Sequence, residues 1–169
     1  MNSEQLRAIQ APLKTKYREN PESAVVTLKA KGTLGEGVTC NVETGRKLAS
    51  VAGLHPATGG TGLELCSGDM LLEALIACAG VTMKAVATAL NIDIKEGTVT
   101  AEGDIDFRGT LAISREAPVG FKEIRLSFKL DTDASEEQLE TLLKLTERYC
   151  VVYQTLKSPP GINITYTTK

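Results

Sequence analysis

Apolar side chains recur with two different periods along the chain, and these periods predict where helices and strands lie. Residues 3–19 have the spacing of a helix, with Pro12 as a kink or a break inside it. Residues 24–31 (AVVTLKAK) and 38–43 (VTCNVE) have the composition of strands, and the turn residues between them predict a hairpin. A further short strand is expected at residues 46–51.

The longest apolar stretch, residues 67–90 (SGDMLLEALIACAGVTMKAVATAL), predicts one long helix that Asn91 stops. Small residues recur along this helix. They let other backbones approach closely, so we expect the helix to be central and packed on most sides. It is almost long enough to cross a bilayer, but Glu73 and Lys84 lie inside it and alanine dominates over leucine. These features favour a buried helix over a membrane span.

The second half of the chain predicts two strands and another helix. Apolar residues alternate over residues 99–107 and again over 121–130, with a slip near Lys122, which indicates two adjacent antiparallel strands. A capping box at Ser135 opens a second helix, which is expected to continue to Leu156. Its inner face is expected to hold Leu139, Leu142, Leu143, Leu145, Tyr149, Cys150 and Val152.

A last strand is predicted at residues 162–167, and the order of elements is typical of an α+β domain. We place this domain at residues 23–169, with residues 1–22 as an N-terminal helical extension. Hydrophobic residues make up 42% and charged residues 24% of the 169 residues, as in an ordinary soluble globular protein. The net charge of −2 argues against nucleic acid and against an acidic membrane surface as partners. The first residues lack the apolar core of a secretory signal, so we expect a cytoplasmic protein.

Four cysteines, Cys40, Cys66, Cys78 and Cys150, are the main candidates for chemistry. A buried cysteine is commonly only a small hydrophobe, whereas a pair of cysteines in a reducing compartment can form a transient catalytic disulfide. There is no C-x-x-C motif, and His55 is the single histidine. A metal site would have to combine distant residues, so we expect neither a metal nor a cofactor.

Two stretches together resemble the OsmC/Ohr family, the osmotically inducible and organic hydroperoxide resistance proteins. In the first, residues 67–90, Cys78 lies in EALIACAG; in the second, residues 135–156, Cys150 lies in RYCVVYQTL. The strands between them follow the family's order as well. The resemblance implies an OsmC-like fold, in which antiparallel sheets are wrapped around long central helices in an intertwined homodimer with two sites at the subunit interface.

The resemblance also implies a reaction. In the peroxidase branch of the family, a first cysteine attacks the O–O bond of an organic hydroperoxide and becomes a sulfenic acid. A second cysteine resolves this acid as a disulfide, which a dithiol then reduces. The motifs make Cys78 the peroxidatic residue and Cys150 the resolving residue, while Cys40 and Cys66 are interpreted as structural.

The residues that would activate Cys78 depart from the family's pattern. A reactive thiol needs a nearby cation, helix N-terminus or metal, and Cys78 lies too far along its own helix to feel that helix's dipole. The peroxidase branch has a glutamate ten residues before the cysteine, where this chain has Gly68, and an arginine in the early strands that has no match here. The possible activating or supporting residues are Asp69, Glu73, Arg46 and Arg148.

Two functions stay open at this point. The first is a thiol peroxidase that uses Cys78 and Cys150, which the presence of both cysteines in their motifs favours. The second is a non-enzymatic OsmC-like dimer that binds a small apolar ligand in the interface cleft, which the missing glutamate and arginine favour. His55 lies in the Gly-rich segment before the long helix and is interpreted as a loop residue, with a role near the cleft as the alternative.

Overall fold

Two separate sheets, with a long helix between them in sequence, give the chain the predicted α+β fold. The computed structural model describes residues 1–43 and 49–168. In those residues the helices are α1 (Ser3–Glu19), α2 (Ser67–Leu90), α3 (Phe107–Thr110), α4 (Glu136–Tyr149) and α5 (Val151–Lys157). The strands are β1 (Lys31–Leu34), β2 (Cys40–Glu43), β3 (Ala49–Gly53), β4 (Leu65–Cys66), β5 (Glu96–Ile105) and β6 (Phe121–Asp131).

The N-terminal helix α1 forms as predicted and continues through Pro12. A capping box starts it: the Asn2 side chain accepts from the Gln5 N–H and the Gln5 side chain accepts from the Asn2 N–H, each at 2.9 Å. The helix lies against α2, but none of its residues is buried. Its apolar side is therefore only partly covered.

The first sheet has the order β1-β2-β3-β4. Its first three strands are antiparallel, and β4 joins β3 in parallel. The strand predicted over residues 24–31 is wrong except at its end, since β1 begins at Lys31 and residues 25–30 pair with no described strand. Of the strand predicted at residues 46–51, residues 46–48 lie outside the described residues, and β3 begins at Ala49.

The second sheet is a long antiparallel pair of β5 and β6, as the alternating pattern predicted. The slip near Lys122 is a β-bulge, because Asp104 pairs with Glu123 whereas Ile105 pairs with Phe121. Beyond the bulge the Phe121 ring lies over Gly103 of β5, where an added Cβ would overlap it. Phe107, predicted in the strand, lies instead in α3.

One side of α2 is buried and the opposite side is not. Its buried residues are Leu75, Ala79, Met83 and Ala87. Met83 and Ala87 belong to the core cluster, which also contains Ile92, Ile94 and Leu142. Val81, on the other side, is 73% exposed, so the prediction that α2 is packed on most sides is wrong within the single chain. The length and the apolar composition of α2 would be sufficient for a membrane-spanning helix. Core helices of soluble proteins commonly have the same length and composition.

The second predicted helix is divided into α4 and α5. The predicted capping box starts α4, with Ser135 and Gln138 exchanging hydrogen bonds. Two residues predicted to face inward, Leu143 and Tyr149, are exposed. Thr146 is buried instead. Its hydroxyl donates to the Leu142 carbonyl of the preceding turn at 2.8 Å, so the hydroxyl is hydrogen-bonded although it is buried.

The strand predicted at residues 162–167 does not form within this chain. Ile162, Ile164 and Tyr166 alternate as in a strand but are 83–91% exposed, and they pair with no other described residue. Their pattern is that of a strand with one buried face. None of the described residues covers that face.

Candidate active site

Cys78 and Cys150, the two cysteines predicted to react, lie close enough together for the thiol of each to shift the pKa of the other. Cys78 is half-buried on α2, and Cys150 is 1% exposed at the junction of α4 and α5. Both α4 and α5 pack against α2. A residue between them can therefore reach Cys78.

A break in the helix places Cys150 at this junction. Its φ of −74° and ψ of 108° end α4 and begin α5. The Cys150 N–H donates to the Thr146 carbonyl and its own carbonyl accepts from the Gln154 N–H, both at 2.9 Å. The Gln154 side chain also donates to the Glu147 carbonyl at 2.7 Å, which satisfies an acceptor left free where α4 ends. The break is therefore hydrogen-bonded on both sides.

Burial raises the pKa of the Cys78 thiol, but hydrogen bonds outweigh burial and the net pKa is lowered. The groups involved are the Val152 amide, the Cys150 thiol, the Val151 amide and the Thr82 hydroxyl. Each favours the thiolate, because a charged sulfur is the better acceptor. The two amides are the first of α5. The helix N-terminus that a reactive thiol can use therefore comes from α5 and not from α2.

The pKa of Cys150 moves the other way. Burial raises it most, the Tyr153 amide lowers it, and the hydrogen bond with Cys78 raises it again. That last effect arises because the protonated Cys150 is the donor to Cys78. Cys78 is therefore the thiol that ionises first, and Cys150 keeps its proton.

Of the four supporting residues predicted from the sequence, three lie in the described part of the chain. Among the described residues, no charged side chain contributes to the shift in the pKa of Cys78. Asp69 lies in the first turn of α2, about 14 Å from Cys78 along the helix axis. Glu73 is exposed on α2, and the exposed Arg148 guanidinium lies 5.4 Å from the ring centre of the neighbouring tyrosine. Arg46 lies outside the described residues, so all four roles stay predictions.

A cavity of about 530 Å³ lies between α2, α5 and β6, and we call it the α5 cavity. Its apolar walls are Leu75, Phe121, Ile124, Leu126, Tyr153 and Leu156. Tyr153 follows Cys150 by three residues on α5, and Leu75 precedes Cys78 by one turn of α2. Two lysines and two glutamates also line the cavity, so its ionisable groups carry no net charge.

Two further cavities, of about 330 and 380 Å³, lie at the start of α2. We call them the His55 cavities; both are lined by His55, Cys66, Gly68, Ile105, Phe107 and Phe121. The His55 ring stacks on Phe107 at 4.8 Å and its Nδ1 accepts from the Ala57 N–H at 3.0 Å, so His55 is a loop residue with a fixed ring. In the described part of the chain, no group of three or more His, Cys, Asp or Glu side chains could hold a metal.

The family model described as "OsmC-like protein" matches residues 60–165, which is more than half of the chain and includes both paired cysteines. The chain belongs to the OsmC-like family. The resemblance seen in the two cysteine motifs is thereby confirmed. No curated protein sequence matches the chain.

Solved structures share the OsmC-like fold of this chain. An OsmC like protein from Mycoplasma pneumoniae matches with a TM-score of 0.66 and 17% identity, over 79% of this chain and 89% of that one. An organic hydroperoxide resistance protein from Elizabethkingia anophelis, with bound thiocyanate, has a TM-score of 0.63, 18% identity and coverages of 80% and 91%. The organic hydroperoxide resistance protein OsmC from Legionella pneumophila has a TM-score of 0.63, 17% identity and coverages of 79% and 93%. At these identities the likeness establishes the fold alone.

The sequence analysis did not name the groups that lower the pKa of Cys78, and only one of them could have been found from the sequence. Thr82 follows Cys78 by four residues and so shares its face of α2, which the helical period would have revealed. The amides of Val151 and Val152 had no such signal. Their contribution depends on the helix break at Cys150 and on the packing of α5 against a helix that is distant in sequence.

Proposed function

We propose that the protein is a cysteine-based peroxidase that reduces organic hydroperoxides. The observation that carries the proposal is the contact between two thiols of opposite character, Cys78 with a lowered pKa and Cys150 with a raised one. A nucleophile must be a thiolate, and the thiol that resolves it must stay close and protonated until it is needed. Membership of a family that includes hydroperoxide resistance proteins supports the same chemistry.

The proposed cycle has three balanced steps. The Cys78 thiolate attacks the outer oxygen of the hydroperoxide, the O–O bond breaks, and the leaving alkoxide takes a proton and departs as an alcohol. The Cys150 sulfur then attacks the sulfenic acid on Cys78, which forms a disulfide and releases water. A small dithiol finally exchanges with this disulfide, restores both thiols and leaves as its own disulfide. Such a cycle requires a reducing compartment, which is the cytoplasm in this proposal.

The proposed working form is a homodimer. OsmC-family proteins are commonly dimeric, and three surfaces of this chain support that state. The outer side of α2 around Val81 is apolar and exposed, and residues 25–30 and 162–167 are apolar strand-like segments without a described partner. A second copy that covered them would bury apolar area and pair free backbone groups. It could also bring its own charged residues to Cys78.

The alternative is an OsmC-like dimer that binds a small apolar ligand without reacting. The observation in its favour is the α5 cavity beside a resolving thiol that is almost completely buried. In this function the two cysteines only pack, and the pKa of Cys78 has no consequence for a substrate.

Consumption of tert-butyl hydroperoxide, with dithiothreitol or dihydrolipoamide as the reductant, tests the proposal. We expect turnover by the wild-type protein, none by Cys78→Ser, and a single reaction by Cys150→Ser that leaves a sulfenic acid on Cys78, trapped by dimedone. The matched controls Cys40→Ser and Cys66→Ser should turn over almost normally. An inert wild type whose four thiols stay free after peroxide treatment would favour the binding protein instead.

A further inference from the structure

Phe121 is a wall of three cavities at once. It lines the α5 cavity and both His55 cavities. It therefore stands at the boundary between the cavity beside α5 and the cavities at the start of α2.

The position of this ring is set by two features of the second sheet. The β-bulge at Lys122 lets Phe121 pair with Ile105 while the rest of β6 keeps its register. The ring can then lie over Gly103 only because that residue has no side chain, since a Cβ there would overlap two ring carbons. A glycine inside a strand commonly marks such a close approach.

The α5 cavity is linked to the thiols through its own wall residues. Tyr153 lines the cavity, and its amide lowers the pKa of the Cys150 thiol. Leu75 lines it from the other side and is followed one helical turn later by Cys78, at a rise of about 5 Å. The cavity therefore borders the turn of α2 that precedes Cys78 and the turn of α5 that follows Cys150.

We propose that the α5 cavity receives the organic group of the hydroperoxide and that Phe121 limits the length of that group. The inference rests on the peroxidase function proposed above and extends it to a substrate class. The walls are mainly apolar and the lining charges balance, so the cavity suits an uncharged organic group. A substrate that is longer than the cavity meets the Phe121 ring, which stands where the cavity would otherwise continue toward His55.

Two substitutions should change substrate preference in opposite directions. Phe121→Ala joins the α5 cavity to the His55 cavities, so kcat/KM for methyl linoleate hydroperoxide should rise about tenfold relative to tert-butyl hydroperoxide. Gly103→Ala places a methyl group under the ring and displaces it into the cavities, so the same ratio should fall. Phe121→Leu should give a smaller rise in the same ratio, and it replaces Phe121→Ala in this test if the alanine variant does not fold.

Val119→Ala is the matched control, because Val119 lines one His55 cavity and not the α5 cavity. Its ratio should equal that of the wild type. An unchanged ratio in Phe121→Leu and Gly103→Ala, both folded and active, would overturn the inference, as would an equal change in Val119→Ala.

A binding measurement separates this inference from the proposed function. The hydroxy ester that corresponds to methyl linoleate hydroperoxide has no O–O bond and cannot react, and its Kd can be measured by calorimetry. Tighter binding to Phe121→Ala and weaker binding to Gly103→Ala would support the cavity assignment even if the wild type consumed no hydroperoxide. Equal binding to all variants would refute it even if the peroxidase were active.

Discussion

The two halves of the chain differ in where their apolar side chains go. In residues 1–43 and 50–168, every buried side chain lies between Leu75 and Cys150, and none lies before α2. The second half buries α2, α4, β5 and β6 against one another, whereas the apolar residues of the first sheet and of α1 are exposed or only half-buried. The difference teaches that an apolar pattern shows which side chains require burial, but not whether the same chain provides it.

Core truncation should show the largest contrast between the halves. Leu142→Ala removes a completely buried side chain and should lower the free energy of unfolding by about 2–5 kcal/mol. Leu34→Ala, on the exposed strand β1, is the matched change and should cost less than about 1 kcal/mol. Chemical denaturation of both variants measures this. Equal losses would mean that the first half is buried as deeply as the second.

Breaking the proposed dimer is the second test. Val81→Glu places a charge on the exposed side of α2, and a charge in an apolar interface should weaken association at least about a hundredfold. Light scattering after size exclusion should then give 18.0 kDa at micromolar concentration, against twice that mass for the wild type. Ile113→Glu, at an exposed residue outside α2, is the control and should stay dimeric. A wild-type monomer would contradict the dimer itself.

The pH dependence of the alkylation of Cys78 tests the reactive thiol in the half of the chain that contains the core. The alkylation rate of Cys78 should reach half its plateau at a pH below that of an ordinary thiol. Thr82→Val should raise this midpoint, because it removes a donor to the thiolate. Thr88→Val is the control, since that hydroxyl donates to the Lys84 carbonyl at 2.7 Å.

The same shift predicts a pH dependence of stability. Because the pKa of folded Cys78 is lowered, its contribution is present above the pKa of the unfolded thiol. It is lost as the pH falls through the lower pKa of the folded state. A midpoint of Cys78 alkylation at or above that of a free thiol would contradict both expectations.

The two capping boxes give the smallest and cleanest comparison. Ser135→Ala should lower the global free energy of unfolding by about 1 kcal/mol, because α4 carries part of the core. Asn2→Ala makes the same change in α1, which has no buried residue, so it should unwind α1 without changing the global unfolding midpoint. Hydrogen exchange of the α1 amides and thermal unfolding report the two effects separately. A clear global loss in Asn2→Ala would show that α1 is integral to the fold.

Local signals account for the parts of the fold that the sequence predicted. Capping residues, a stop at Asn91 and alternation with a slip near Lys122 are properties of neighbouring residues, and each reappears in the structure. The strands expected at residues 24–31 and 162–167 failed because a strand also needs a partner. The patterns contained no information on where that partner would be.

The candidate site also has one part that the sequence predicts and another part that it does not. The pairing of Cys78 with Cys150 was predicted from the family resemblance, but the cause of the lowered pKa of Cys78 was not. That cause is the approach of the first α5 amides, which requires an extended ψ at Cys150 within a stretch that otherwise looks helical. Asp69, Glu73 and Arg148 are candidates that lie near the two cysteines in sequence, and closeness in sequence cannot show which charged groups surround a thiol in the folded protein.

The turn at Asn91 has a consequence for how the chain folds. Asn91 adopts a left-handed φ of 56°, and the next residue bonds back to the Ala87 carbonyl at 2.9 Å. Much of the core cluster, from Met83 to Ile94, is therefore close in sequence as well as in space. Little loop-closure entropy opposes its assembly, so we expect this corner to form early and at a rate independent of protein concentration. In the proposed dimer, residues before α2 would follow in a slower phase whose rate increases with concentration, because their burial would require an encounter between two chains.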